Sequence, residues 1–266
     1  MGSCAPLRAM QLRDDGDGLW VATFNRPEVL NALDTNTSLD LRDIFGPLQF
    51  DASQARCVIL TGSGERAFSA GGDLKEREGM TSDAWRSQHA IIEEAAYSIM
   101  NSSVPVIAAV NGIAMGGGLE IALCCDFIYA SRAARFGLPE VTRGIMPGAG
   151  GTQTLARAVG ERRAKEIILT GRHFGSEEAH SWGLVNAVCE PDALMPTALQ
   201  TARDICANAP IAVRQAKKAI HQGLQLDMAS ALAFEVQAYE RMIATEDRLE
   251  GIKAFNERRK PNFRGR

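Results

Sequence analysis

Up to about residue 190 the chain alternates short apolar runs with longer stretches of helical period; beyond that point every periodic stretch is helical. Residues 18–27, GLWVATFNRP, alternate in polarity and carry β-branched side chains until Asn25-Arg26-Pro27 stops them, so they read as a strand. ARCVILTGSG (55–64) and PVIAAVNG (105–112) are short buried strands that end in glycine. FIYASRAARFGL (127–138) holds one or two strands, and residues 185–190 hold another. Leu33, Leu39, Leu41 and Ile44 mark the apolar face of a helix over 31–50, started by Asp34 or Thr35. A long helix covers 82–103 with Ser82 as its N-cap, and shorter ones cover 119–126, 154–171 and 176–184. Helices over 192–208, 210–223 and 227–256 complete the chain. The pattern predicts an α/β core over residues 1–190, followed by a C-terminal helical module over 191–266.

Composition narrows the class. With 266 residues, 45% hydrophobic and 23% charged, the chain can bury a large core without disulfides or metals. A formal net charge of -3 gives no electrostatic reason for nucleic acid or an anionic membrane as main partner. The apolar runs are too short to span a bilayer. The first 20 residues have no apolar h-region. The expected location is therefore the cytosol, or an organelle matrix if a targeting segment has been removed. Cys4, Cys57, Cys124, Cys125, Cys189 and Cys206 form no C-x-x-C pair and are expected to be reduced. His89, His173, His180 and His221 lack ligand spacing, so no metal is expected.

Glycine clusters supply the candidate chemistry. Gly62-x-Gly64-x-x-Ala67 follows a strand as a dinucleotide fingerprint would, but Phe68 to Gly72 cannot open a helix well, so a plain strand-to-loop turn fits better. PGAGGTQ (147–153) lacks the Lys-Ser/Thr of a phosphate-binding loop and reads as a helix entry, with pocket shaping as the second reading. GGGLE (116–120) differs, because three glycines meet the start of a helix and a carboxylate follows within one turn. Free amides at a helix N-terminus stabilise negative charge, including charge that forms only in a transition state. A tight strand–helix crossing that needs small residues explains the spacing equally well. FSAGGDLKER (68–77) is a second loop of this kind, also placed behind a buried strand; Ala70-Gly71-Gly72 expose main-chain amides and Asp73 can cap the turn after them. Two such loops at neighbouring strand ends would converge where α/β sheets bind ligands.

From residue 18 to the C-terminus the sequence resembles the crotonase (enoyl-CoA hydratase/isomerase) family. NRPEVLNAL (25–33), AFSAGGDLKE (67–76), PVIAAVNGIAMGGGLEIALCCD (105–126) and FGLPEVTRGIMPGAGGTQTLARAVG (136–160) carry the likeness. ILTGRHFGSEEAHSWGLV (168–185) and DRLEGIKAFNERRKPNF (247–263) extend it. The resemblance implies a spiral of β-β-α repeats, a C-terminal helical region used in trimerisation, and assembly as a homotrimer or a homohexamer built as a dimer of trimers. It also implies an oxyanion hole from the amides of Gly72 and Gly117. Many relatives carry Ala where Gly72 stands, a difference that a main-chain contact tolerates. The substrate implied is a coenzyme A thioester of the kind met in β-oxidation of fatty acids, with no separate cofactor.

Relatives that hydrate 2-enoyl-CoA use two glutamates, and the matching positions are Glu120 and Glu140. The resemblance thus implies that Glu120 orients and deprotonates water while protonated Glu140 supplies a proton. Read without it, the same residues are a helix-dipole carboxylate and a surface acid after Pro139. For CoA the candidates are Lys75 and the main chain of Ala70, Gly71, Asp73 and Leu74. Phe255 and Arg258 match positions that reach the CoA of a neighbouring subunit. The first alternative is a 3-methylglutaconyl-CoA hydratase of leucine degradation, toward which DLKER, GGGLE and TEDRLEG lean. A second is an RNA-binding relative, although FDASQARCVIL (50–60) contains one arginine and no lysine. The stripe Arg214, Lys217, Lys218 and His221 reads as a solvated helix face. The third is a non-catalytic CoA-ligand binder.

Overall fold

The computed structural model describes residues 6–52 and 54–266. Its strands are β1 (Met10–Asp14), β2 (Leu19–Phe24), β3 (Cys57–Gly62), β4 (Ala67–Ser69), β5 (Val106–Val110), β6 (Ile113–Met115), β7 (Phe127–Ser131), β8 (Arg135–Gly137), β9 (Phe174–Gly175) and β10 (Ala187–Cys189). Its helices are α1 (Thr35–Leu48), α2 (Leu74–Arg77), α3 (Ser82–Met100), α4 (Gly117–Cys124), α5 (Gly151–Val159), α6 (Glu161–Thr170), α7 (Ser176–Ser181), α8 (Leu194–Cys206), α9 (Pro210–Gly223), α10 (Met228–Ile243) and α11 (Glu246–Asn256).

One sheet has six strands in the order β1-β2-β3-β5-β7-β10, and the second has four, β4-β6-β8-β9. Only the β1–β2 and β8–β9 pairs are antiparallel. Consecutive strands thus climb from one sheet to the other: β3 to β4, β5 to β6, β7 to β8. Helices follow β4 and β6, so the chain winds as the spiral of β-β-α turns that the resemblance implied.

The inner strands β3 and β5 of the larger sheet are buried on both faces, which explains why they read as continuous apolar runs rather than alternating ones. Phe24, Val58, Leu60, Ala108 and Val110 face the main core with Phe68, Leu119 and Phe136. Leu19, Val21, Cys57, Ile59, Ile107 and Ala109 face the opposite way, onto Leu194, Ala198, Ala202 and Cys206 of α8. Packing therefore does not break at residue 190, because α8 covers the second face of the sheet.

Several local expectations are corrected. The helix expected over 154–171 is two helices, since Gly160 takes φ +83 and turns the chain. The helix expected over 227–256 also divides, and the Thr245 hydroxyl caps α11 by accepting from the Arg248 amide. Thr81, rather than Ser82, caps α3. α4 starts at Gly117, two residues earlier than the apolar run. Lys217 is not a solvated base: its Nζ meets Asp126 Oδ2 at 2.7 Å and Val104 O at 2.8 Å. Cys4 lies outside the described residues, and the other five cysteines are free.

The spiral depends on close main-chain crossings. A Cβ on Gly118 of α4 would lie 2.2 Å from the carbonyl oxygen of Ser69 in β4, and both residues are buried. Gly118→Ala should therefore cost about 1–3 kcal/mol of stability, the usual size of an overpacking penalty, because backbone rather than a flexible side chain must yield. Urea denaturation would measure it, and a midpoint equal to that of the wild type would contradict the crossing.

Candidate active site

Two glycine loops meet where β4 and β6 end. Gly71 has φ +88, and a Cβ there would sit 2.5 Å from Met115 O and 3.1 Å from Gly117 N. Gly116 has φ +52, and its amide donates to Gly137 O at 2.9 Å. Gly117 follows as the first residue of α4, so its own N–H has no partner within the helix. Across the gap, the Leu33 amide donates to Gly71 O and the Asp73 amide donates to Leu33 O. In such a parallel bridge the Gly72 N–H points away from Leu33. Gly72 N lies 3.7 Å from where a Gly117 Cβ would be, which places the two free amides side by side. Asp73 holds this loop by capping α2 through the Lys75 and Glu76 amides and by pairing with Arg26 at 3.1 Å.

Both amides face a cavity of about 730 Å³. Glu120 and Glu140 also face it, as do Ala70, Gly71 and Leu74. Asp73 and Lys75 do not, and Lys75 is exposed on α2. Phe255 and Arg258 lie apart from the cavity at the end of α11, with Phe255 83% exposed.

The two carboxyl groups have opposite surroundings. Glu120 is buried, and its Oε1 accepts from the amides of Ala149 and Gly151, each at 2.8 Å. Burial raises its pKa, while those amides oppose the shift by stabilising the ionised form. They come from PGAGGTQ, so that loop does shape the pocket; a Cβ on Gly151 would lie 2.8 Å from Glu120 Oε1. Glu140 stands at the start of a 3-10 turn after Pro139. Both its carboxyl oxygens are buried with no hydrogen-bond partner among the described residues. Burial, joined by the nearby Glu120 charge, pushes its pKa up to about 7. Burial thus raises both carboxyl groups, with amide donors opposing the shift at Glu120 and no donor from another residue opposing it at Glu140.

Side chains that the sequence did not single out complete the walls. α3 contributes Trp85, His89 and Ile92, the end of α2 contributes Arg77, and Met146 and Gly148 close the opposite side. His89 packs so closely on Gly148 that a Cβ there would lie 2.4 Å from the ring. Arg77 closes the DLKER motif, which gave it no role of its own; no local motif marks Trp85, His89, Ile92 or Met146, which tertiary packing brings to the site.

A family model described as enoyl-CoA hydratase/isomerase matches residues 14–266. The chain belongs to the enoyl-CoA hydratase/isomerase family. A short-chain-enoyl-CoA hydratase of Clostridium acetobutylicum is 45% identical over 249 residues, covering 90% of this chain and 92% of the relative. The mitochondrial methylglutaconyl-CoA hydratase of Mus musculus is 40% identical over 263 residues, covering 97% of this chain and 83% of the relative. The crystal structure of an enoyl-CoA hydratase from Bacillus anthracis superposes with a TM-score of 0.94 at 43% identity, covering 97% of this chain and all of that one. This family member is accordingly an enzyme with the crotonase fold.

The buried Glu140 links stability to pH. Its folded pKa, about 7, lies above the ordinary 4.5, so between those values the folded chain keeps a proton that the unfolded chain has lost. Stability from this group is therefore lost as pH rises through 7. Glu140→Gln removes the penalty. Its melting temperature should exceed that of the wild type increasingly from pH 5 to pH 8.5, as read by differential scanning fluorimetry. A constant difference would place Glu140 in a solvated environment.

Proposed function

We propose that this enzyme adds water across the C2=C3 bond of 2-enoyl-CoA thioesters. The observation that carries this reading is the arrangement of Gly72, Gly117, Glu120 and Glu140 around one cavity. In this reading the thioester oxygen lies between the amides of Gly72 and Gly117. As water attacks C3, the electrons of the double bond move toward that oxygen, and the enolate charge develops there. A donor of this type contributes a factor of about 10²–10³ in rate. Ionised Glu120 takes a proton from the attacking water, and protonated Glu140 delivers one to C2. The hydroxyl ends on C3 and the two glutamates exchange protonation states, to be reset by solvent. Hydration needs no redox cofactor, since the added H and OH sum to one water molecule and no net oxidation or reduction takes place.

For coenzyme A, the main chain from Ala70 to Leu74 would line the pantetheine path and Lys75 would meet a phosphate. Phe255 and Arg258 would serve a neighbouring subunit's ligand. A trimer, alone or paired into a hexamer, is supported by the exposed apolar side chains of α9 to α11, among them Ile220, Leu224, Met228, Leu232 and Val236. Among the described residues, no helix is long and apolar enough to cross a membrane. We place the enzyme in the cytosol or an organelle matrix on the strength of its free, buried thiols. The pairing of Lys217 with Asp126 weakens the basic stripe that an RNA-binding reading would use. A non-catalytic CoA-ligand binder would have no use for the two contrasting carboxyl groups.

Glu120→Gln and Glu140→Gln, made singly, should each lower crotonyl-CoA hydration by about 10²–10⁴-fold, the range for losing a general acid or base. Spectrophotometric assay of the thioester-conjugated double bond measures it, and near-wild-type turnover in either variant removes that residue from the mechanism. In the wild type, kcat/KM should fall as pH rises through about 7, where Glu140 loses its proton. Light scattering in solution should give the mass of three or six chains; a monomer would refute the assembly.

A further inference from the structure

The cavity wall carries Arg77, Glu93 and Arg143 besides the two glutamates, and the proposed hydration uses none of these three charges; Arg77 is the one that lies against Gly72. Its guanidinium carbon lies 3.5 Å from the Cβ position of Gly72, directly beside the candidate oxyanion hole. The group is fixed from two sides. It stacks on Trp85 with 4.5 Å between its carbon and the ring centroid, and its Nε donates to Gln88 Oε1 at 2.8 Å. Gln88 is 5% exposed and cannot turn freely, because its Nε2 donates to Glu76 Oε2 at 2.7 Å and to Thr35 Oγ1 at 3.0 Å.

The far side of the guanidinium is open. Among the described residues, neither terminal nitrogen donates to a protein acceptor, and no carboxylate lies within ion-pair distance of Arg77. Arg143, the other arginine on the cavity wall, is exposed and folds back onto Thr142 and Pro139 of its own turn. Burial pushes the Arg77 guanidinium below the usual arginine pKa, and the Glu76 charge, outside ion-pair distance, opposes the shift without cancelling it. A planar fork positioned in this way fits a carboxylate through two parallel hydrogen bonds.

We propose that Arg77 is a specificity residue that binds a carboxylate at the far end of a short acyl chain, so that the substrates are 2-enoyl-CoA thioesters of dicarboxylic acids. The inference rests on the hydratase reading for the reaction but not for the binding. Its closeness to Gly72 sets the length: a carboxylate near the oxyanion hole belongs to a short chain, whereas the end of a long chain would pass beyond it.

The test uses two matched pairs, each differing by one carboxylate: glutaryl-CoA against butyryl-CoA for binding, and glutaconyl-CoA against crotonyl-CoA for hydration. Wild-type enzyme should bind glutaryl-CoA more tightly by calorimetry and show the larger kcat/KM on glutaconyl-CoA. Arg77→Met should reduce both ratios by about 10–10²-fold, the size of a lost charged hydrogen bond, chiefly through Kd and KM. Arg77→Lys should restore part of the preference. Ratios unchanged in Arg77→Met overturn the assignment. So does an equal loss on both members of a pair, which would put the guanidinium on a CoA phosphate or on the thioester carbonyl. A wild type with no preference for the acid overturns it even if the variant fails to fold. Should no thioester be hydrated while the binding preference persists, the hydratase reading fails and the role of Arg77 stands.

Discussion

Two strands of main chain can lie side by side at the centre of this molecule only because neither carries a Cβ there. A side chain on Gly71 would strike Met115 O, and one on Gly118 would strike Ser69 O. The constraint acts on the fold and on the site together. It lets α4 start directly against the end of β4, and it leaves the Gly72 and Gly117 amides free on the same wall. A glycine loses more backbone freedom on folding than any other residue, so a run of three carries a real entropic cost. Here the run is offset by packing that no other residue permits, and the unpaired amides are its chemical product.

The same loops decide the fate of the two carboxyl groups. Glu120 projects from the first turn of α4 toward the loop before α5, where two amides receive it. Glu140 is left without any donor, and its Oε1 lies 3.1 Å from where a Gly116 Cβ would be. Burial acts on both, but only one is compensated. Two carboxyl groups of the same side-chain chemistry therefore stand at one cavity in different surroundings, one held by amides and one without them. A donor placed on Glu140 would lower its pKa and erase the distinction.

Most of this was legible in the sequence, and the exceptions have physical causes. The strands β2, β3, β5 and β7 and the long helices announce themselves by period, since each must bury a whole face. β4, β6 and β8 have three residues each and β9 has two, too few to establish an alternation. β1 exposes four of its five residues and so shows no apolar signal; the buried Asp40 carboxylate holds the chain there by accepting the amides of Arg8, Ala9 and Met10. Helix breaks at Gly160 and Thr245 lay inside periodic stretches, where local backbone and capping preferences override the pattern. For the site, the glycines and glutamates carried a spacing signal that the family resemblance sharpened. Trp85 and His89 carried none, because a residue on an amphipathic helix looks the same whether its partner is solvent or a ligand; Arg77 stood only as the last letter of DLKER, with no role attached.

That asymmetry bears on how the cavity recognises its ligand. In the proposed reaction Gly72, Gly117, Glu120 and Glu140 all act on atoms close to the thioester, which every 2-enoyl-CoA presents alike. Discrimination among acyl chains must come from groups that the reaction does not engage. Apolar walls such as Ile92 and Met146 distinguish chains weakly, since one methylene changes burial by about 0.8 kcal/mol. A half-buried cation with no direct ion-pair partner distinguishes strongly, because it favours an anionic chain end and gains nothing from a methyl in the same place. The positions that act on the acyl end are in this way the ones hardest to read from sequence.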